Sequence, residues 1–116
     1  MAPTQPSRGD VWDVDLGNPV GHEQGGSRPA LIVSVDQFNH GPAELVVVLP
    51  ITKRDKRIRS HVPVERGTAG LTVDSWIKCE DIRSVSTKRL SRFRGSISSP
   101  ILQTCTKIVQ ILLGIP

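Results

Sequence analysis

"ELVVVLPI", residues 44–51, is an apolar, largely β-branched run with no alternating polar positions to mark a solvent face. Such a run suits a strand covered on both sides. "PALIVSV" (Pro29–Val35) reads the same way, and "DQFNHGPA" between the two reads as a turn. Upstream, "DVWDVDL" (Asp10–Leu16) alternates, placing Trp12, Val14 and Leu16 on one face of a half-buried strand. Downstream, a strand containing Pro63 belongs at a sheet edge, because proline has no N–H to donate to a neighbour. "LTVDSWIKCEDIRSV" predicts two short strands broken near Glu80, and "STKRLSRFRG" is basic and ambiguous.

Ser99 and Pro100 form an N-cap followed by proline at the first helical position. Ile101, Leu102, Cys105, Ile108, Val109 and Leu112 then recur at helical spacing, and Gly114 ends the run. Many short strands followed by one amphipathic helix predict a small twisted sheet or partly closed barrel, with the helix over one face.

The 116 residues fit one domain, with Met1–Ser7 reading as a frayed tail. Aromatic residues make up only 3%, so Val, Ile and Leu must fill the core. A net charge of +4 favours an anionic partner. Cys79 and Cys105 sit among apolar neighbours and read as reduced, buried thiols. The N-terminus lacks a signal-type apolar region, and no run reaches transmembrane length. The expected location is the cytoplasm, away from membranes.

His22, His40 and His61 are not at ligand spacing, no cysteine accompanies them, and no metal site is expected. No glycine-rich loop precedes a helix and no nucleophile elbow is present, so neither a bound cofactor nor a serine or cysteine nucleophile is expected. The loop Gly17–Arg28 carries Gly17, Pro19, Gly21, Gly25 and Gly26. Arg28 closes it and Pro29 keeps that arginine extended. There it can aim a guanidinium fork at a phosphate, or pair with Asp10 or Glu23. Thr52, just after the apolar run, is either a strand-end cap or a hydrogen-bond donor to an oxyanion. Lys53, Arg54, Lys56, Arg57 and Arg59 crowd one loop, and Lys88, Arg89, Arg92 and Arg94 another. These are solvated loops unless the fold gathers them beside the glycine loop, where they would make a groove for a phosphate backbone.

The segments "RGDVWDVDLGNPVGHEQGGSRPALIVS", "LPIT" and "DSWIKCEDIRSVSTKRL" resemble, in that order, the MazF/Kid/PemK family of type II toxin–antitoxin ribonucleases, from about Arg8 to Leu90. "GHEQ", with His22, looks most like the Kid/PemK branch. The resemblance implies a mainly β, SH3-like twisted barrel with a C-terminal helix, assembled as a homodimer. It also implies a sequence-specific, metal-independent endoribonuclease that cuts single-stranded RNA, such as mRNA, at short motifs. The substrate's 2′-hydroxyl attacks the adjacent phosphate, leaving a 2′,3′-cyclic phosphate and a 5′-hydroxyl. Arg28 and Thr52 match residues at the scissile phosphate. His22 and Glu80 match the proton-transfer positions. Glu23, Gln24, Lys53, Arg54, Lys56, Arg57 and Lys78 are expected at the RNA, with Glu23 also ordering the loop. An Arg-Cys-Asp triplet of the Kid pattern is Lys78-Cys79-Glu80 here, and the family's following glutamine is Asp81.

An antitoxin with an acidic disordered segment is the implied protein partner, since such a segment can fold onto a cationic groove. Two other readings compete. One is a gyrase-binding poison like CcdB, although the tail has Gly114-Ile115 without the tryptophan of that type. The other is a catalytically inactive SH3-like module that binds RNA or a peptide.

Overall fold

The computed structural model describes residues 4–116. The apolar run forms β3 (Leu45–Thr52), the strand around which the sheet is organised. One edge of β3 pairs with β2 (Ser27–Ile32). The other edge is shared: β6 (Arg83–Ser86) takes Leu45–Val48, and β5 (Ser75–Lys78) takes Ile51 and Thr52. A 3-10 turn, Cys79–Asp81, steps the chain from β5 to β6 and accounts for the break expected near Glu80. β1 (Asp10–Asp15) pairs with β2 and with β7 (Leu90–Ser96). β4 (His61–Val64) pairs with β5 alone, so Pro63 does stand on a sheet edge. All pairings are antiparallel.

The sheet buries both faces. Val11, Leu31, Leu49, Ile51 and Ile77 pack under the C-terminal helix α2 (Ser99–Leu112), with Ile101, Leu102, Cys105, Ile108 and Val109 as the helix side of that core. Trp12, Val14, Leu16, Ala30, Ile32, Val46, Val48 and Val85 fill the opposite face. Full burial of each larger aliphatic side chain contributes roughly 1.5–3 kcal/mol. β1, expected to be half-buried, is therefore covered on both sides, with Val11 and Val14 each 0% exposed. Cys79 and Cys105 are free and buried, as expected.

Several local expectations change. "DQFNHGPA" is not only a turn: Asp36–Asn39 forms a one-turn helix, α1. Buried Asn39 fixes it by donating to the Ser34 carbonyl at 2.8 Å. Of the expected tail, residues 1–3 lie outside the described residues, while Pro6 and Ser7 are packed rather than frayed. The His40 Nε2 atom bonds the Pro6 carbonyl at 2.7 Å, and the Ser7 amide donates to Asp10 Oδ2 at 2.8 Å. The N-cap of α2 is Ser98, one residue earlier than expected. The helix ends in a Schellman arrangement: Gly114, at φ +70°, donates to the Ile111 carbonyl and Ile115 to that of Gln110. Leu112, expected in the buried stripe, is 51% exposed because the last turn runs past the sheet. Among the described residues, no helix is long and apolar enough to cross a membrane.

Candidate functional site

The glycine loop is pinched at its base, where the Leu16 amide donates to the Gly26 carbonyl and the Gly26 amide to that of Gly17, both at 2.9 Å. At Gly25 a Cβ would stand 2.4 Å from the Pro19 ring and 2.9 Å from the Gly17 carbonyl oxygen, so only glycine fits. Glu23 orders the tip by accepting the Val20 amide at 2.8 Å. The loop therefore folds over the ends of β2 and β3 rather than standing free.

Beneath it lies an open depression of about 490 Å³. His22, Glu23 and Gln24 form its loop side, and Lys53, Arg54 and Lys56 the opposite wall. Arg28 and Thr52 lie between them. They come together because Arg28 is the second residue of β2, Thr52 ends β3, and these strands run antiparallel with Ala30 opposite Pro50. Among the described residues no carboxylate pairs with Arg28; its Nε donates to the Gly25 carbonyl at 3.3 Å. Thr52, only 5% exposed, accepts the Arg54 amide at 3.2 Å through Oγ1. It caps the strand end, and its own proton stays available to donate. Arg57 sits on the same loop as the cations but outside the depression.

Lys78 is not at the surface. It is 3% exposed, and its Nζ donates to the His22 carbonyl at 3.0 Å and lies 3.5 Å from Asp81 Oδ2. The expected contact with RNA is replaced by a grip on the loop, because the pleat of β5 turns this side chain inward. Asp81 accepts the Gln24 amide at 2.8 Å and two bonds from Arg83 Nη2, each 2.8 Å. Arg83 in turn donates to the carbonyls of Gln24 and Leu16, at 3.0 and 3.4 Å. The Lys78–Asp81–Arg83 cluster thus ties the flap to the sheet. Arg83 was missed from sequence, although four charges within Lys78–Arg83, flanked by buried strands, are a signal of internal pairing.

Glu80, expected beside His22 in proton transfer, faces a neighbouring hollow shared with His22, Glu23 and Asp81. Its two oxygens are engaged: Ser60 Oγ donates to one and His61 Nε2 bonds the other, each at 2.7 Å. Burial pushes the Glu80 carboxyl up, but the bonds from Ser60, its own backbone amide and His61 outweigh this and hold it below 4.5. A folded value below the unfolded one stabilises the protein fully above about pH 4.5, and that contribution disappears as pH falls through the folded value. Glu80→Gln is therefore expected to melt lower than the parent at neutral pH, with the gap closing in acid. Calorimetric melts between about pH 3 and 7 check this; a gap independent of pH refutes it.

The second basic cluster divides. Arg89 reaches the Asp15 carbonyl at 3.4 Å, beside the loop, whereas Arg94 pairs with Asp13 at 3.3 Å. His22, His40 and His61 occupy three separate places, held to different partners.

Residues 7–113 match the family model described as PemK-like, MazF-like toxin of type II toxin–antitoxin system. Endoribonuclease MazF9 of Mycobacterium tuberculosis is 33% identical over 113 residues, covering 93% of this chain and 96% of that one. Endoribonuclease EndoA of Bacillus subtilis is 30% identical over 109 residues, covering 93% and 94%. In fold, the chain is similar to MazF from Deinococcus radiodurans, with a TM-score of 0.84 at 24% identity over 97% of this chain and 100% of that one. It is also similar to a mycobacterial endoribonuclease solved in complex with its cognate antitoxin, with a TM-score of 0.76 at 21% identity and 98% coverage of both chains. With the ordered glycine flap and the paired strand ends beneath it, these matches establish that the chain belongs to the PemK-like, MazF-like toxins of type II toxin–antitoxin systems.

Proposed function

We propose that this chain is a metal-independent endoribonuclease that cuts single-stranded RNA through its substrate's own 2′-hydroxyl. The observation that carries this reading is the convergence of Arg28 and Thr52 on one cation-walled depression beneath the loop. A phosphodiester there meets the Arg28 fork and the Thr52 hydroxyl, with Lys53, Arg54 and Lys56 along the backbone. As the 2′-oxygen bonds to phosphorus and the 5′-oxygen departs, negative charge grows on the non-bridging oxygens, where preorganised donors have most effect. The 2′-hydroxyl gives up a proton and the 5′-oxygen takes one. His22 serves in this exchange because it borders the same depression, whereas both oxygens of Glu80 are occupied elsewhere.

An acidic antitoxin segment is the partner that fits the cationic wall. A second copy of the chain is the occupant proposed for the apolar end of α2, where Ile111, Leu112, Leu113 and Ile115 are exposed. The test of activity is incubation with mixed-sequence RNA in EDTA, followed by analysis of fragment ends. Cleavage leaving 2′,3′-cyclic phosphate and 5′-hydroxyl ends is expected, with His22→Ala cutting the same sites more slowly. Intact RNA, or cleavage that EDTA stops, overturns the proposal.

A further inference from the structure

The chain has two cysteines, and the cleavage proposed above uses neither. The fold nevertheless brings them together. Cys79 opens the 3-10 turn Cys79–Asp81, Cys105 lies midway along α2, and both are 0% exposed in the same apolar core. Their side chains share a hydrogen bond across the junction of turn and helix. That bond, followed by burial and by negative charge on Cys105 and Glu80, pushes the Cys79 thiol up. The same bond pulls the Cys105 thiol down, against the effect of burial. Cys79 is therefore the donor that keeps its proton, and Cys105 the sulfur better able to react as a thiolate.

We propose that Cys79 and Cys105 are a redox pair, which a peroxide closes to a disulfide that slows RNA cleavage. The inference rests on the ribonuclease reading and adds regulation to it. The Cys105 thiolate attacks one oxygen of hydrogen peroxide, the O–O bond breaks, hydroxide leaves, and Cys105 becomes a sulfenic acid. The Cys79 sulfur then attacks that sulfur. Its proton departs with the sulfenic hydroxyl as water, and the S–S bond forms. The two thiols together give up two electrons and two protons, and the peroxide is reduced to two waters. Neither sulfur is accessible in the closed fold, so a water-sized oxidant enters only on local opening of the helix from the sheet, and the response is slow.

The turn is where such a bond would be felt at the site. The Cys79 amide donates to the Ser60 carbonyl at 3.1 Å, and Glu80 holds Ser60 and His61. Lys78, just before the turn, and Asp81, at its end, hold the main chain of the flap. Closing the bond draws the turn towards α2, and Lys78 and Asp81 move with it. The flap then sits differently over Arg28. A misplacement of about 1 Å at a reacting centre can cost on the order of 10²-fold in rate.

The test treats the whole protein with hydrogen peroxide and compares it with the reduced protein in intact mass, linked peptides, melting and cleavage of a defined RNA. The oxidised protein is expected to be about 2 Da lighter and to yield a peptide joined through Cys79 and Cys105. It should melt roughly 10 °C higher and cut RNA at least about 10-fold more slowly, with dithiothreitol restoring the rate. Cys105→Ala is expected to cut at the parental rate and to be indifferent to peroxide. Should that variant fold poorly, Cys105→Ser makes the same comparison with a side chain nearer the thiol in size. Two free thiols after peroxide, a disulfide that leaves cleavage unchanged, or equal inhibition of the Cys105 variant overturns the proposal. RNA left intact by the reduced parent overturns the nuclease reading instead, and mass and melting then decide the redox pair alone.

Discussion

Arg28→Ala is expected to lower the rate of RNA cleavage by about 10²–10³-fold, the cost of removing one preorganised donor to a developing oxyanion, while the melting temperature stays where it was. Both halves follow from how the guanidinium is held. Its Nε bond to the Gly25 carbonyl is long, at 3.3 Å, and among the described residues it has no ion-pair partner, so the fold depends little on it. It lines the same depression as Thr52, and in the proposed reaction it meets the phosphorane there. Arg28→Lys restores the charge but not the planar fork and should fall between the two. Single-turnover rates on a defined oligonucleotide, with thermal melts of the same samples, check this. Cleavage within a few-fold of the parent, or a collapsed melting temperature, would remove Arg28 from the centre of the mechanism.

Asp81→Ala should damage stability and activity together. It strips the counter-charge from Lys78, whose side chain is 4% exposed, and removes the acceptor of the Gln24 amide and of Arg83. Leaving a buried ammonium unpaired costs about 3–5 kcal/mol, which lowers the melting temperature by roughly 10 °C or more in a domain of this size. The flap, untied from the sheet, no longer covers Arg28. Replacing Lys78 and Asp81 together, as in Lys78→Met with Asp81→Leu, separates the two effects: apolar substitutes remove the unpaired ammonium and recover part of the stability, Arg83 being left without its carboxylate, yet cleavage stays low because the loop remains untied. Full activity in the double variant would show that the tie is not needed for cleavage.

Patterns with a strong period were legible in the sequence. β2, β3 and α2 were readable because burial imposes an unbroken or helical apolar rhythm on them. β7 was not, because it pairs only with β1 and is anchored by main-chain bonds and by the edge-to-face contact of Phe93 with Trp12, at 5.7 Å between ring centres. α1 is a single turn, too short for any period to show. In the site, the meeting of Arg28 and Thr52 could be anticipated from their places at strand ends. Lys78 could not be placed, because a buried cation and a surface cation are the same letter. What separates them is a loop carbonyl 56 residues away.

Lys78, Asp81 and Arg83 take hold of the flap only through its main chain: the carbonyls of Leu16, His22 and Gln24 and the amide of Gln24. Every amino acid presents those same carbonyls, and every one but proline that amide. The shape of the flap is thus decoupled from much of what it displays, and replacements at outward positions such as Asn18 or Val20 can alter which RNA is accepted without loosening the anchorage. A toxin built this way can diverge in target while its scaffold stays fixed.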